Sequence, residues 1–290
     1  MEVLKTRKEL SDWIAERRHR DRVLVPTMGA LHRGHTSLFD RAATLAGESG
    51  DVLTTIFVNP TQFGPNEDFS RYPRNFERDR SLCETTGVDI IFNPVPEAMY
   101  PAGHSVYVEE NVLSKGLCGA TRPGHFRGVL TVVAKLFNLT LPDVAVFGQK
   151  DAQQARLIQQ LARDLNFPVT IMLAPIIRES DGLAKSSRNT YLSPAERREA
   201  LCLQQTLQTA RRLCRAGERD ARRIIAAMKA GIEQIPSARV DYIAIVDRDT
   251  LHSAPRLDTP VLVALAIYIG KTRLIDNLTL PDDALSNLPE

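Results

Sequence analysis

The feature of this chain that most constrains its fold is an alternation of two hydrophobic periods through residues 1–175. Residues 23–25, 52–58, 88–92, 144–147 and 169–173 are short, densely apolar runs without polar alternation, as in strands covered on both faces. Between them the spacing is helical. Leu38, Ala42 and Leu45 share one side of 35–46, and Val129, Val132, Val133, Leu136 and Phe137 make a wide stripe on 127–139. Ala155, Ile158, Leu161, Ala162 and Leu165 do the same on 151–165. Strand then helix, repeated, predicts an α/β fold with a Rossmann-like, doubly wound parallel sheet.

Past residue 175 the texture changes. Ser193, Pro194 and Glu196 form a helix start, with Ser as cap, Pro at the first helical position and Glu at the third. Arg- and Ala-rich helices are expected through 235, broken near Gly217, before two strand-like runs at 240–246 and 261–269 and a polar tail. The expected domains are therefore 1–175 and 176–290, the second a smaller C-terminal α+β unit. The 43% apolar content is enough for a core in each.

Lys+Arg 37 against Asp+Glu 35 leaves a formal charge of +2 with no long run of one sign, which argues against a dedicated binder of nucleic acid or membrane surfaces. The basic residues are 29 Arg and 8 Lys, so a loop Lys stands out. Cys83, Cys118, Cys202 and Cys214 are far apart and form no C-x-x-C, so inert thiols are expected rather than a disulfide scaffold or a zinc cluster. No apolar run approaches the roughly 18 residues of a membrane span, and the opening stretch lacks the apolar segment of a secretory signal. A cytoplasmic protein is expected.

Four segments carry candidate chemistry. In PTMGALHRGH, at 26–35, a strand gives way to a helix, where ligands of open α/β sheets meet unpaired N–H groups. Its glycines allow close backbone approach, and His32 and His35 can offer imidazole donors to phosphate; a zinc site lacks a third ligand of suitable spacing. In NPTQFGPNEDFSRYPR, at 59–74, a rigid polar loop can orient a small substrate through Gln62, while Glu67 and Asp68 are expected to be solvated. In FGQKDAQQ, at 147–154, Gly148 permits backbone approach, Lys150 is a cation, Asp151 can accept from a ribose hydroxyl, and Gln154 falls on the same helical side. In the run from Arg178 to Asn189, Lys185, Ser186, Ser187 and Arg188 bring two cations and two hydroxyls, suited to polyphosphate. No phosphate loop of P-loop type, no G-x-G-x-x-G after a strand, no G-x-S-x-G elbow and no H-E-x-x-H helix is found.

These segments, with HFRGVLTVVAKLFN at 125–138, occur in an order and at distances that closely resemble the pantoate–β-alanine ligase (pantothenate synthetase) family of the HIGH-motif nucleotidylyltransferase superfamily. The likeness covers most of 23–192. It implies ATP-dependent condensation of (R)-pantoate with β-alanine through a pantoyl adenylate, releasing AMP and diphosphate, with Mg²⁺ as helper. By matching motif, Met28, Gly29, Ala30, Leu31, His32, Arg33, Gly34 and His35 would hold ATP, with His35 catalytic and His32 beside it. Gly148, Gln149, Lys150 and Asp151 would also bind the nucleotide, with Lys150 counted as catalytic. Ile177 would contact adenine through its backbone, and Lys185, Ser186, Ser187 and Arg188 would close on the phosphates. Gln62 and Gln154 would hold pantoate, and Gln62 would also lie near β-alanine.

The resemblance further implies a C-terminal lid domain and a homodimer, and it names no metal ligands. The chain departs from the family pattern twice: Gln149 replaces the Glu of FGEKD, and Lys185 replaces the Met of MSSRN. Two other readings remain: a HIGH-motif enzyme for another acid, against which the Gln62 and Gln154 pair argues, and a nucleotide-binding module without turnover.

Overall fold

The computed structural model describes residues 1–65 and 67–281; Asn66 and 282–290, the end of the expected polar tail, lie outside the described residues. In chain order the elements are β1 (Glu2–Leu4), α1 (Arg7–Glu16), β2 (Arg22–Thr27), α2 (Arg33–Ala46), β3 (Asp51–Ile56), α3 (Phe76–Glu84), β4 (Ile90–Phe92), α4 (Pro96–Met99), α5 (Leu117–Thr121), α6 (His125–Thr140), β5 (Val144–Gly148), α7 (Ala152–Asp164) and β6 (Thr170–Ala174). After them come α8 (Pro194–Glu199), α9 (Cys202–Arg215), α10 (Ala221–Ile232), β7 (Ala238–Asp247), β8 (Val261–Ile269) and β9 (Thr272–Leu280). The chain forms two compact units. One comprises Met1–Asn111, Arg122–Gln149 and Gln154–Ala174; the other comprises Val112–Thr121, Lys150–Gln153 and Pro175–Glu290.

In the first unit six parallel strands run in the order β1-β4-β3-β2-β5-β6. All six residues of β3 are buried, which is why its sequence shows no polar alternation. Leu38, Phe39, Ala42 and Ala46 of α2 pack on Val23, Val25, Val52 and Ile56. Side chains alternate along a strand, so the fully buried Leu24 and Leu53 belong to the opposite face, the doubly wound arrangement expected. From β2 the chain steps to β3 on one side, while β5 pairs with β2 on the other, so the winding reverses between β2 and β5. The crevice outside the carboxyl ends of such strands is the binding position of open α/β sheets.

In the second unit β7, β8 and β9 form an antiparallel sheet, and Leu203, Leu207 and Ala210 of α9 and Ile224 and Met228 of α10 share its core with Val263, Leu265 and Ile267. Ser193 caps α8 reciprocally with Glu196, as its sequence predicts. Gly217, with φ +96, lies between α9 and α10. Strand β9 occupies what reads in sequence as polar tail: Leu274, Leu278 and Leu280 face the core, while the polar Asp276 and Asn277 are buried as well. The three-residue edge strand β1 is too short to show a period. Gln153 accepts from Cys118 N–H and donates to the Leu113 and Gly116 carbonyls, tying the segments 112–121 and 150–153 together.

All four cysteines are free and buried, and burial pushes the Cys83 thiol up to about 12 and the Cys202 thiol up to about 11. Among the described residues, no helix is long and apolar enough to cross a membrane.

Candidate active site

The loop after β2 is built by its backbone. Gly29 has φ +81, and a Cβ there would stand 2.9 Å from Asp79 Oδ2 and 3.0 Å from Ile56 Cγ2, so conformation and space both require glycine. Asp79 of α3 accepts from the Ala30 and Leu31 amides, at 2.8 Å each, and so pins the turn that leads into α2. Burial raises its carboxyl above the ordinary range against the pull of those two donors. Sequence reasoning missed Asp79, because an acidic residue in the first turn of a helix reads as ordinary dipole stabilisation.

His32 caps α2, and main-chain amides hold both imidazoles. Gly34 N–H donates to His32 Nδ1 at 3.1 Å, and His32 N–H donates to His35 Nδ1 at 3.3 Å; the ring centroids are 4.2 Å apart. A ring nitrogen that accepts a backbone N–H carries no proton of its own. The neutral form of each imidazole therefore has its proton on Nε2, which makes both rings donors through that atom.

Gln62 is oriented by a similar elimination. Asn59 Oδ1 accepts from Thr61 N–H at 3.3 Å and from Tyr100 OH at 2.9 Å, while Asn59 Nδ2 donates to the Gly128 carbonyl at 3.1 Å. Backbone groups of known polarity thus fix the Asn59 amide, and its Nδ2 also donates to Gln62 Oε1 at 3.0 Å. The NH₂ end of Gln62 then lies on the side of Met28, with Nε2 3.0 Å from Sδ, bringing the first two motifs together. Gly128 lets α6 approach this turn: a Cβ there would be 2.2 Å from the Thr61 carbonyl oxygen.

A charged chain supports the same turn. Arg122 donates to both oxygens of Glu67, at 2.5 and 2.6 Å, and lies 2.8 Å from His125 Nε2; His125 Nδ1 is 2.8 Å from the Gln62 carbonyl. A carbonyl only accepts, so Nδ1 donates and Nε2 accepts from Arg122. Burial pushes the Glu67 carboxyl up, but Arg122 and the Gly64 amide outweigh it and bring it down to about 2. The expectation of a solvated Glu67 is corrected here, since its partner is 55 residues away in sequence. Gly148 ends β5, next to β2 in the sheet, and apart from its chain neighbours no described residue comes within 4 Å of where its Cβ would be. Gln154, on α7, is half-buried.

The remaining candidates belong to the second unit, apart from Gln149, which opens the 3₁₀ turn Gln149–Asp151 at the end of the first. Lys150 Nζ is 3.3 Å from Asp151 Oδ2. The run 177–185 is a hairpin: Lys185 N–H donates to the Ile177 carbonyl and Glu179 N–H to the Leu183 carbonyl, at 2.9 and 2.8 Å. Lys185 Nζ pairs with Glu179 at 2.6 Å inside that hairpin. Ser186 caps the following 3₁₀ turn, Ser187–Tyr191, accepting from Arg188 N–H at 3.3 Å. Among the described residues no group of three or more His, Cys, Asp or Glu side chains is placed to hold a metal ion.

The family model for pantoate–β-alanine ligase matches residues 2–279. The chain belongs to the pantoate–β-alanine ligase family. It is 53% identical to the pantothenate synthetase of Moorella thermoacetica over 283 residues, 97% of this chain and 99% of that protein. The crystal structure of the Thermus thermophilus pantothenate synthetase superposes with a TM-score of 0.89 at 42% identity, covering 96% of this chain and 99% of that one. A Francisella tularensis pantoate–β-alanine ligase complexed with β,γ-ATP and β-alanine matches with a TM-score of 0.78 at 33% identity, over 96% and 97% of the two chains. As a member of that family the chain is an enzyme, a ligase joining pantoate to β-alanine.

Proposed function

We propose that the condensation runs through a pantoyl adenylate. The pantoate carboxylate oxygen attacks the α-phosphorus of ATP and the bond to the β-phosphate oxygen breaks, releasing diphosphate. The amine of β-alanine then attacks the acyl carbon, AMP leaves, and the amine loses a proton. Charge builds on transferring and leaving phosphates at each stage, so fixed donors and cations matter more than a protein nucleophile.

The observation that carries this reading is the reciprocal capping of His32 and His35, which commits two imidazoles at one helix N-terminus to donation through Nε2. In this role His35 is catalytic with His32 beside it, and Met28, Gly29, Ala30, Leu31, Arg33 and Gly34 cradle the nucleotide. Gln62, its carbonyl end occupied by Asn59, offers N–H to an acceptor-rich acid, which suits pantoate and, after adenylation, β-alanine. Gln154 serves pantoate. Gly148, Gln149, Lys150 and Asp151 serve the nucleotide, as do Ile177 through its backbone and Lys185, Ser186, Ser187 and Arg188.

Mg²⁺ belongs to the proposal as an ion that neutralises phosphate charge and travels on the triphosphate, as it commonly does with nucleotides. A homodimer and a cytoplasmic location are proposed on the family resemblance alone. Exchange of labelled diphosphate into ATP tests the reading: it should require pantoate and proceed without β-alanine. Exchange driven by a different acid, or none at all, overturns it.

A further inference from the structure

Strand β9 carries a pair of polar residues whose burial the reaction as proposed does not use. Asp276 is 2% exposed and Asn277 4%. They are neighbours on one strand, so their side chains leave from opposite faces of it. Asp276 lies on the core face with Leu274 and Leu278, where a carboxylate is costly unless fully paired.

Its partner is Arg178. Arg178 Nη1 donates to Asp276 Oδ2 at 2.7 Å and Nη2 to Oδ1 at 3.0 Å, a two-pronged pair; Nη1 also reaches the Gly182 carbonyl at 3.0 Å, across the hairpin that ends in Lys185. Asp276 Oδ1 further accepts from Asn277 N–H at 2.8 Å. From the other face, Asn277 Nδ2 donates to the main-chain carbonyl of Lys150 at 2.9 Å.

Two successive residues of one strand therefore grip two segments far apart in sequence, and each of those segments presents residues assigned above to the nucleotide, Lys150 on one and the run Ser186 to Arg188 on the other. We infer that Asp276 and Asn277 are positioning residues for ATP: Asn277 sets the backbone of Lys150, and Asp276, through Arg178, sets the hairpin that carries Lys185 to Arg188. Neither touches substrate. A cation held by a flexible loop loses much of its value to a developing phosphate charge, and a carbonyl clamp on the backbone removes that freedom without taking up the ammonium.

The inference rests on the nucleotide roles of Lys150 and the hairpin, and its test separates the two. Asn277→Leu keeps the side-chain volume and removes the donor; Arg178→Lys keeps the charge and removes the two-pronged grip. Pantoate-dependent ATP–diphosphate exchange is measured in both with ATP and pantoate varied separately, next to the thermal midpoint and a Lys150→Ala control. Expected is a rise of about tenfold in the KM for ATP in Asn277→Leu and of about threefold to tenfold in Arg178→Lys, with the KM for pantoate within about twofold of the parent.

An unchanged KM for ATP overturns the anchor when Lys150→Ala is impaired. Equal rises in both KM values that follow the thermal midpoint also overturn it, since that is what a merely structural pair would give. A Lys150→Ala enzyme with the parent's kinetics removes the nucleotide reading and, with it, the purpose of the anchor. If Asn277→Leu fails to fold, Arg178→Lys still decides the Asp276 half.

Discussion

In the first unit, the side chains assigned to substrate are oriented mainly by neutral hydrogen bonds: His32 and His35 by backbone amides, Gln62 by Asn59. In the second unit, the corresponding segments are held largely by ion pairs, Arg178 with Asp276, Lys185 with Glu179, and Arg197 with Asp181 at 2.9 Å. The difference follows from what each group must do. An imidazole or amide serves through the direction of one N–H, and a directional partner of known polarity fixes which atom carries the proton. A cation serves through its charge, and a loop rich in cations is stable without ligand only if carboxylates hold it.

The largest expected effect tests the charged side of this contrast. Arg178→Ala strands a buried carboxylate, that of Asp276, and should cost about 3–5 kcal/mol of stability, read from denaturant unfolding. A loss under about 1 kcal/mol would mean that the hairpin does not depend on the pair.

Next is the neutral side. His35→Ala should slow exchange by about a hundredfold, equivalent to about 3 kcal/mol in the transition state, with far-UV circular dichroism unchanged. His32→Ala is expected to follow it, because its ring donates from the same helix N-terminus. Near-normal exchange in either variant takes that histidine out of the mechanism.

Gly128→Ala comes third. Its Cβ would be driven against the Thr61 carbonyl and 2.6 Å from Gln62 Cα, backbone that cannot swing aside, so a stability loss of about 1–3 kcal/mol should accompany a raised KM for pantoate. A stability loss with substrate kinetics untouched would show that the turn carrying Gln62 moves freely.

The smallest effect sharpens the comparison. Lys185 replaces the family's Met, and its ammonium is paired with Glu179 in a half-buried contact. Lys185→Met should change ATP affinity by less than about 1 kcal/mol and leave its dependence on salt unchanged, because that charge is spent inside the hairpin. A flatter salt dependence in the Met variant would show instead that the ammonium reaches the phosphates when ATP is bound.

Much of this was legible in the residue order. The runs at 52–58 and 144–147 read as buried strands because both faces of β3 and β5 meet apolar cover, and His32, His35, Gln62 and Lys150 stood out at strand ends. Strand β9 did not, since its polar residues break the apolar run. Asp79 and Arg122 were equally hidden, because their partners lie 49 and 55 residues away.

Sequence by itself determined the α/β winding, the capped helix starts and the family, because these rest on local periodicity, local hydrogen bonding and motifs whose residues are neighbours in the chain. Tertiary structure alone decided which atom of each imidazole holds the proton, which end of Gln62 lies toward Met28, and that Asp276 and Asn277 are buried strand residues rather than tail. Each of those depends on a partner's exact donor or acceptor atom arriving from elsewhere in the fold, and a one-dimensional pattern contains no record of that direction.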